Sequence, residues 1–246
     1  MVIYGIIGFP LTHSFSKQYF SNKIEKEGIT GAEYHTFPLT SINEFPDLIK
    51  NGPLIRGLSV TIPYKEKVLQ FINHFSNEVI EIGATNCISI KDGKLTAYNT
   101  DIIGFEKSFV KKLLSNHTKA LVLGTGGASK AVQFVLKKIG IQFLVVSRNI
   151  SEHKKFIQYS QVTKEIMDTY SIIINATPLG MSPLELTCPP IPYASITPQH
   201  YLYDLVYKPE KTLFLQKGEL QGATIENGYE MLLIQAEENW KRWNEG

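Results

Sequence analysis

The sequence predicts an α/β protein of two domains, the second built on a parallel sheet and the first completed by the last helix. Three observations carry this expectation. Four short, almost wholly apolar runs, 120–123, 143–146, 172–174 and 201–206, alternate with helical patterns, as strands buried on both faces by crossover helices do. The N-terminal half also alternates strand and helix patterns but includes Lys91-Asp92-Gly93-Lys94, whose Asp-Gly pair suits the tight turn of a hairpin. The segment 229–243 places Leu232, Ala236, Trp240 and Trp243 at helical spacing with no strand after it, so it leaves the parallel unit and returns to the first half. The expected domains are 1–104 completed by 229–246, and 105–228.

The elements follow in order. Residues 2–7 read as a strand, 17–27 as a helix and 34–39 as a second strand. A third strand spans 55–62, and a helix over 64–71 begins just after Pro63. The hairpin strands are 84–90 and 95–99, followed by a helix over 102–114. In the parallel unit the first strand is followed by a helix over 131–139.

Composition narrows the function classes. At 246 residues with 43% hydrophobic and 20% charged residues, the chain can bury one large core or two modest ones. A formal charge of +2, with no long run of like charge, argues against nucleic-acid and membrane-surface partners. No apolar stretch approaches a membrane span, and the glycine-interrupted N-terminus reads as a strand and not a signal peptide. Cys87 and Cys188 share no short spacing, which argues against a disulfide framework or a structural zinc site and for a reduced, cytoplasmic setting.

The segment Gly124-Thr125-Gly126-Gly127-Ala128-Ser129-Lys130 joins the apolar strand Leu121-Val122-Leu123 to a helix. A glycine turn alone is weak evidence, but in this setting the glycines have a task. Gly124 permits the tight turn, and Gly126 lets backbone N–H groups approach a pyrophosphate at the helix N-terminus. Ser129 stands where the dinucleotide pattern has Gly or Ala, and its small side chain is compatible with the turn. At the end of the next strand comes Ser147-Arg148-Asn149, with no acid until Glu152. A carboxylate there would bind a ribose 2′-OH, whereas Arg148 can pair with a 2′-phosphate, so NADP(H) is favoured over NAD.

Polar residues cluster at the ends of the N-terminal elements. The clusters are His13-Ser14-Phe15-Ser16, Ser59-Val60-Thr61-Ile62-Pro63-Tyr64-Lys65, Gly83-Ala84-Thr85-Asn86 and Asn99-Thr100-Asp101, with Gln235 on the last helix. They supply hydroxyls, amides and one cation–anion pair and no metal-ligand set, an inventory suited to a polyhydroxylated anionic ring.

With Gly8-Phe9-Pro10, Ile174-Asn175-Ala176-Thr177-Pro178-Leu179-Gly180-Met181, Asp204-Leu205-Val206-Tyr207 and Gly228 through Gln235, these ordered segments make the chain resemble the shikimate dehydrogenase family over essentially its whole length. The resemblance implies an N-terminal α/β substrate domain and a C-terminal Rossmann-like dinucleotide-binding domain with a parallel sheet. It implies an NADP-dependent oxidoreductase that reversibly reduces 3-dehydroshikimate to shikimate in chorismate and aromatic amino-acid biosynthesis, working as a monomer or homodimer. Lys65 and Asp101 would be the catalytic pair, Asp101 orienting Lys65. Ser14, Ser16, Thr61, Asn86, Tyr207 and Gln235 would bind the carboxylate and hydroxyls. Gly124, Thr125, Gly126, Gly127, Ala128, Ser147, Arg148, Thr177, Leu205 and Gly228 would line the cofactor. Alternatives are a quinate/shikimate dehydrogenase with relaxed cofactor use and a non-catalytic dinucleotide- or ligand-binding protein.

The chain departs from the family pattern in places. Ser16-Lys17 replaces Ser-Pro, Ser59 replaces an Asn, Ala97 stands at a common Gly, and Asn149 and Glu152 replace a Thr and a second Arg after Arg148, where Lys154 or Lys155 can supply a cation. None removes a proposed chemical group.

Overall fold

Alternate residues of the first strand enter different cores, Ile3 and Ile7 on one face and Tyr4 and Ile6 on the other. In the computed structural model, which describes residues 1–11, 14–148 and 155–245, the chain divides into two compact units, Met1–Thr100 with Ala236–Gly246, and Asp101–Gln235.

The first unit contains β1 (Val2–Gly8), α1 (Phe15–Lys26), β2 (Ala32–Pro38), α2 (Phe45–Asn51), β3 (Ile55–Val60), β4 (His74–Phe75), α3 (Asn77–Ile82), β5 (Cys87–Lys91) and β6 (Lys94–Tyr98). Its sheet runs β2-β1-β3-β5-β6-β4, with β3-β5-β6 antiparallel and the other pairs parallel. The hairpin forms as its turn chemistry requires. Asp92 and Gly93 both take positive φ, 50° and 75°, and Lys91 pairs with Lys94.

The expected helix over 64–71 is instead a turn followed by a 3₁₀ segment, Lys67–Phe71. Its backbone is claimed from elsewhere. The Lys65 carbonyl accepts the Thr85 N–H at 2.8 Å, and the buried Tyr64 donates its hydroxyl to the Leu39 carbonyl at 2.7 Å.

The second unit contains α4 (Asp101–Phe109), β7 (Lys119–Leu123), α5 (Gly127–Lys138), β8 (Gln142–Ser147), β9 (Phe156–Gln158), α6 (Lys164–Thr169), β10 (Ile172–Asn175), β11 (Tyr201–Asp204), α7 (Leu213–Leu220), β12 (Thr224–Glu226) and the start of α8 (Tyr229–Asn244). All six strands are parallel, in the order β12-β11-β10-β7-β8-β9, so the direction of winding reverses between β7 and β10. Residues such as Ala120, Val122, Val145 and Ile172 are fully buried, as strands covered on both faces require.

Among the boundaries that differ from expectation, three lie in this unit. The helix after β7 starts at Gly127, so Gly127 and Ala128 form its first turn. The strand expected over 201–206 stops at Asp204, where the Val206 N–H turns back onto the Asp204 carboxylate. The helix expected over 102–114 is α-helical only to Phe109 and closes with a 3₁₀ turn, Val110–Lys112. Beyond it the Leu114 N–H bonds His117 Nδ1 in a local loop.

From Ala236 onward α8 belongs to the first unit, while residues 229–235 stay with the second. Trp240 and Trp243 pack among Tyr4, Phe20 and Tyr34, with ring centroids 4.8 Å apart for Tyr4–Trp240 and 5.1 Å for Phe20–Trp243. No helix among the described residues is long and apolar enough to cross a membrane.

Candidate active site

In the second unit, topology gathers the expected cofactor residues at one edge of the sheet. Because every strand is parallel, the segments after β7 (Gly124, Thr125, Gly126), β8 (Arg148, following Ser147 at the strand end), β10 (Thr177), β11 (Leu205) and β12 (Gly228) all leave the same side. The crevice in such sheets lies where the winding reverses, here between β7 and β10. Gly124 sits on that line with φ +108°, and a Cβ there would lie 3.0 Å from the Ala176 carbonyl oxygen and 3.1 Å from Thr177 Cγ2. Gly126 caps α5 with no side-chain bond, so first-turn N–H groups, including those of Gly127 and Ala128, are left to point beyond the helix, an arrangement suited to an anion.

Ser129 explains its own departure from the glycine pattern. Its hydroxyl donates to the Gly124 carbonyl at 2.7 Å and accepts from Gln133 Nε2 at 3.1 Å, tying the turn to the helix it opens. Arg148 is exposed at the end of β8. Asn149, Glu152 and Lys154 lie outside the described residues, as does His13. Lys155 lies over the Phe143 ring at 4.8 Å. This donor set fits a dinucleotide carrying a 2′-phosphate: glycine-permitted backbone approach, a helix N-terminus for the pyrophosphate and a guanidinium at the second strand.

Thr177 and Leu205 are braced from below by Asn175, which ends β10. Asn175 Oδ1 accepts from the Thr177 hydroxyl at 2.6 Å and its N–H at 3.1 Å, while the Asn175 carbonyl accepts the Leu205 N–H at 2.9 Å. Gly228 lies against the Leu205 carbonyl oxygen, which a Cβ would meet at 2.2 Å.

In the first unit the expected substrate residues also share one sheet edge. Ser14 and Ser16 follow β1, while Thr61 and Lys65 follow β3. Asn86 precedes the antiparallel β5, and Asn99-Thr100 follow β6. Ser14 caps α1, its Oγ accepting the Lys17 N–H at 3.3 Å. A proline at position 17 would have no such N–H, so the Lys17 departure gives Ser14 a bond while leaving its hydroxyl proton to donate. Gly8 leaves room for Thr61, whose Cγ2 would lie 2.4 Å from a Cβ there.

A buried polar chain, unanticipated from the sequence, supports this edge. The Thr100 N–H donates to Asn86 Oδ1 at 2.7 Å, and Asn86 Nδ2 donates to the Thr100 hydroxyl at 2.9 Å. That hydroxyl donates to Asn239 Oδ1 at 2.6 Å. Asn239 Nδ2 then donates to Ser59 Oγ at 3.2 Å, which also accepts the Tyr34 hydroxyl at 3.1 Å. Tyr34 is hydrogen-bonded to Ser16 as well, and burial raises its pKa. The chain thus joins Ser16 to Asn86 through four elements and ends at the residue before Asp101. Thr100→Val removes a hydroxyl that both Asn86 and Asn239 use. We expect a loss of about 1–3 kcal/mol in urea unfolding, the cost of leaving buried polar groups short of a partner.

Lys65 is half-buried in the first unit, whereas Asp101 is buried and opens α4 in the second, where a carboxylate suits the helix N-terminus. Gln235 is buried on α8, its Nε2 donating to the Leu232 carbonyl at 2.9 Å. A Cβ on Gly104 would lie 2.6 Å from the Met231 carbonyl oxygen and 3.2 Å from Gln235 Cβ, so α4 and α8 meet there in direct backbone contact. Tyr207 is half-buried, and burial raises its pKa.

Residues 6–88 match the family model of the shikimate dehydrogenase substrate binding domain. The chain is 33% identical to a protein of Carboxydothermus hydrogenoformans named shikimate dehydrogenase (NADP(+)), over 97% of this chain and 90% of that one. It is 35% identical to a Caldicellulosiruptor bescii protein of the same name, over 97% of this chain and 88% of the relative. The chain belongs to the shikimate dehydrogenase family. Among solved structures, the shikimate 5-dehydrogenase of Thermus thermophilus in complex with NADP(H) and shikimate is similar, with a TM-score of 0.86 at 28% identity, covering 99% of this chain and 94% of that one. The family and the two-domain α/β fold expected from the sequence are borne out. Tyr34 and Asn239 escape sequence reasoning as parts of the site, and Ser59, Thr100 and Asn175 carry no assigned role there, because all five make bonds to partners distant in the chain.

Proposed function

We propose that the protein is an NADP-dependent shikimate dehydrogenase that reversibly reduces 3-dehydroshikimate to shikimate. The observation that carries this is identity of 33% and 35%, over nearly the whole chain, to relatives that bear that name. We assign 1–104 with 229–246 to substrate and 105–228 to cofactor. The enzyme is cytoplasmic and works as a monomer or homodimer.

Reduction of a ring ketone needs a hydride at carbon and a proton at oxygen. When bound, the reduced nicotinamide supplies the hydride. Lys65 acts at the ketone oxygen, where its ammonium hydrogen-bonds the developing alkoxide and donates a proton or neutralises its charge. Asp101 accepts a hydrogen bond from a substrate hydroxyl and so orients the ring. Ser14 and Ser16 hold the carboxylate, while Thr61, Asn86, Tyr207 and Gln235 bind hydroxyls. Gly124, Thr125, Gly126, Gly127 and Ala128 take the pyrophosphate, Ser147 and Arg148 the 2′-phosphate, and Thr177, Leu205 and Gly228 the nicotinamide side.

The direct test is reduction of NADP⁺ by purified protein, followed by the absorbance of the reduced cofactor, with shikimate and then with quinate. Turnover of shikimate is expected; its absence overturns the assignment, and faster turnover of quinate selects the broader quinate/shikimate activity. NADPH is expected to give a higher kcat/KM than NADH, and Arg148→Ala to lower that preference by about tenfold or more, the scale of one charge-assisted pair. A wild-type preference for NADH would remove Arg148 from the site.

A further inference from the structure

Asp204 ends β11 fully buried, and the proposed reaction makes no use of its carboxylate. Its Oδ1 accepts Asn175 Nδ2 at 2.9 Å and the Val206 N–H at 3.0 Å, and its Oδ2 accepts the Thr212 hydroxyl at 2.5 Å. All three donors are neutral. Burial outweighs these bonds and pushes the carboxyl up to about 7. Among the described residues, the Tyr193 and Tyr203 phenols feel its charge, and both are driven toward the neutral form by their own burial.

An asparagine would keep the same architecture. Its oxygen would accept from Asn175 and Val206, and its N–H would donate to the Thr212 hydroxyl. A carboxylate in that place adds desolvation cost and no local bond. An ionisable group kept where an amide would serve points to a role for its charge outside the network.

Position indicates what. A parallel sheet in this order is two mononucleotide-binding halves that meet where the winding reverses. Arg148 at the end of β8 assigns the adenosine side to β7–β9, which leaves the nicotinamide side to β10–β12. Asp204 lies at the carboxyl end of that second half. It adjoins Leu205 and reaches Thr177 through Asn175. Nicotinamide is cationic when oxidised and neutral when reduced.

We propose that Asp204 is an electrostatic positioning residue: it braces the Thr177 and Leu205 segments and, by its charge, favours bound NADP⁺ over bound NADPH. This rests on the NADP reading of the second unit. Bracing serves both forms of the cofactor alike, whereas the charge distinguishes them, so the ratio of their dissociation constants isolates the charge.

The experiment is fluorescence titration of the full chain with NADP⁺ and with NADPH, in wild type and Asp204→Asn, at about pH 8. The ratio Kd(NADP⁺)/Kd(NADPH) is expected to rise on the order of tenfold in the variant, the size of an interaction between unit charges roughly 10 Å apart at an effective dielectric of about 20. In wild type the ratio should also rise as pH falls from about 8.5 to about 6, because a proton on Asp204 and the cofactor's positive charge oppose each other. The 2′-phosphate is common to both forms, so its own titration cancels. In Asp204→Asn the ratio should be flat with pH. Because the folded pKa is raised, ionisation of Asp204 lowers stability as pH rises from about 4 through about 7, so the variant should melt no lower than wild type at pH 8. If it fails to fold, the wild-type pH profile decides alone. An unmoved ratio in the variant, or a wild-type ratio independent of pH, overturns the inference and leaves the NADP reading standing. Wild-type protein that binds neither form overturns both.

Discussion

Lys65→Ala lowers kcat at least about a hundredfold, or about 2.7 kcal/mol of transition-state stabilisation, with a much smaller change in KM for shikimate. The structure separates this effect from a folding defect. The Lys65 backbone is held by the Thr85 N–H on its carbonyl, and the neighbouring Tyr64 is anchored by its hydroxyl on Leu39. Those bonds survive truncation, and a half-buried lysine contributes little to the core. Steady-state kinetics with saturating NADP⁺ and varied shikimate, beside a thermal melt, check it. A near-normal kcat would remove Lys65 from the chemistry, and a collapsed melting curve would reassign it to structure.

Trp243→Ala should cost about 3–5 kcal/mol, the range for deleting a large buried aromatic side chain, seen as a lower urea midpoint. Trp243 is 1% exposed and lies against Tyr4 and Phe20, with ring centroids 5.4 and 5.1 Å away. Gly57, in the middle of β3, makes the space: a Cβ there would fall 2.2 Å from the indole Cγ. No substitute backbone can fill the hole, and such a loss is a large part of the about 5–15 kcal/mol that holds a domain together. Trp243→Phe should cost far less. It keeps an aromatic ring in the stack and removes an indole N–H that is buried without a hydrogen-bond partner among the described residues. A loss under about 1 kcal/mol for the alanine variant would mean that the end of α8 is not part of the first unit's core.

Much of the architecture was legible because it is local. The Asp92-Gly93 turn, the apolar strands at 120–123 and 172–174 and the helical spacing of Leu232, Ala236, Trp240 and Trp243 each state their structure within a few residues. The short edge strands β4, β9 and β12 were not legible, since two or three residues display no period. Residues 64–71 misled for a different reason. Their pattern is helical, but the carbonyl of Lys65 is taken by Thr85, and the helical ladder gives way to 3₁₀ bonds.

The candidate site divides the same way. Gly124 and its strand–turn–helix setting are local, and so is the guanidinium at the end of β8. The roles of the polar residues are not. Ser14 as a cap, Asn86 bonded to Thr100, and Thr100 bonded to Asn239 at a separation of 139 residues depend on which strand ends share an edge.

Sequence alone determined the order and kind of most of the longer elements, the glycine turn and the inventory of chemical groups, because periodicity and turn chemistry act between near neighbours. Tertiary structure decided which of those groups are partnered and which are buried so that their ionisation is opposed, as it is at Asp204. Desolvation and hydrogen bonding are set by what is near in space, and that is known only once the chain has closed on itself.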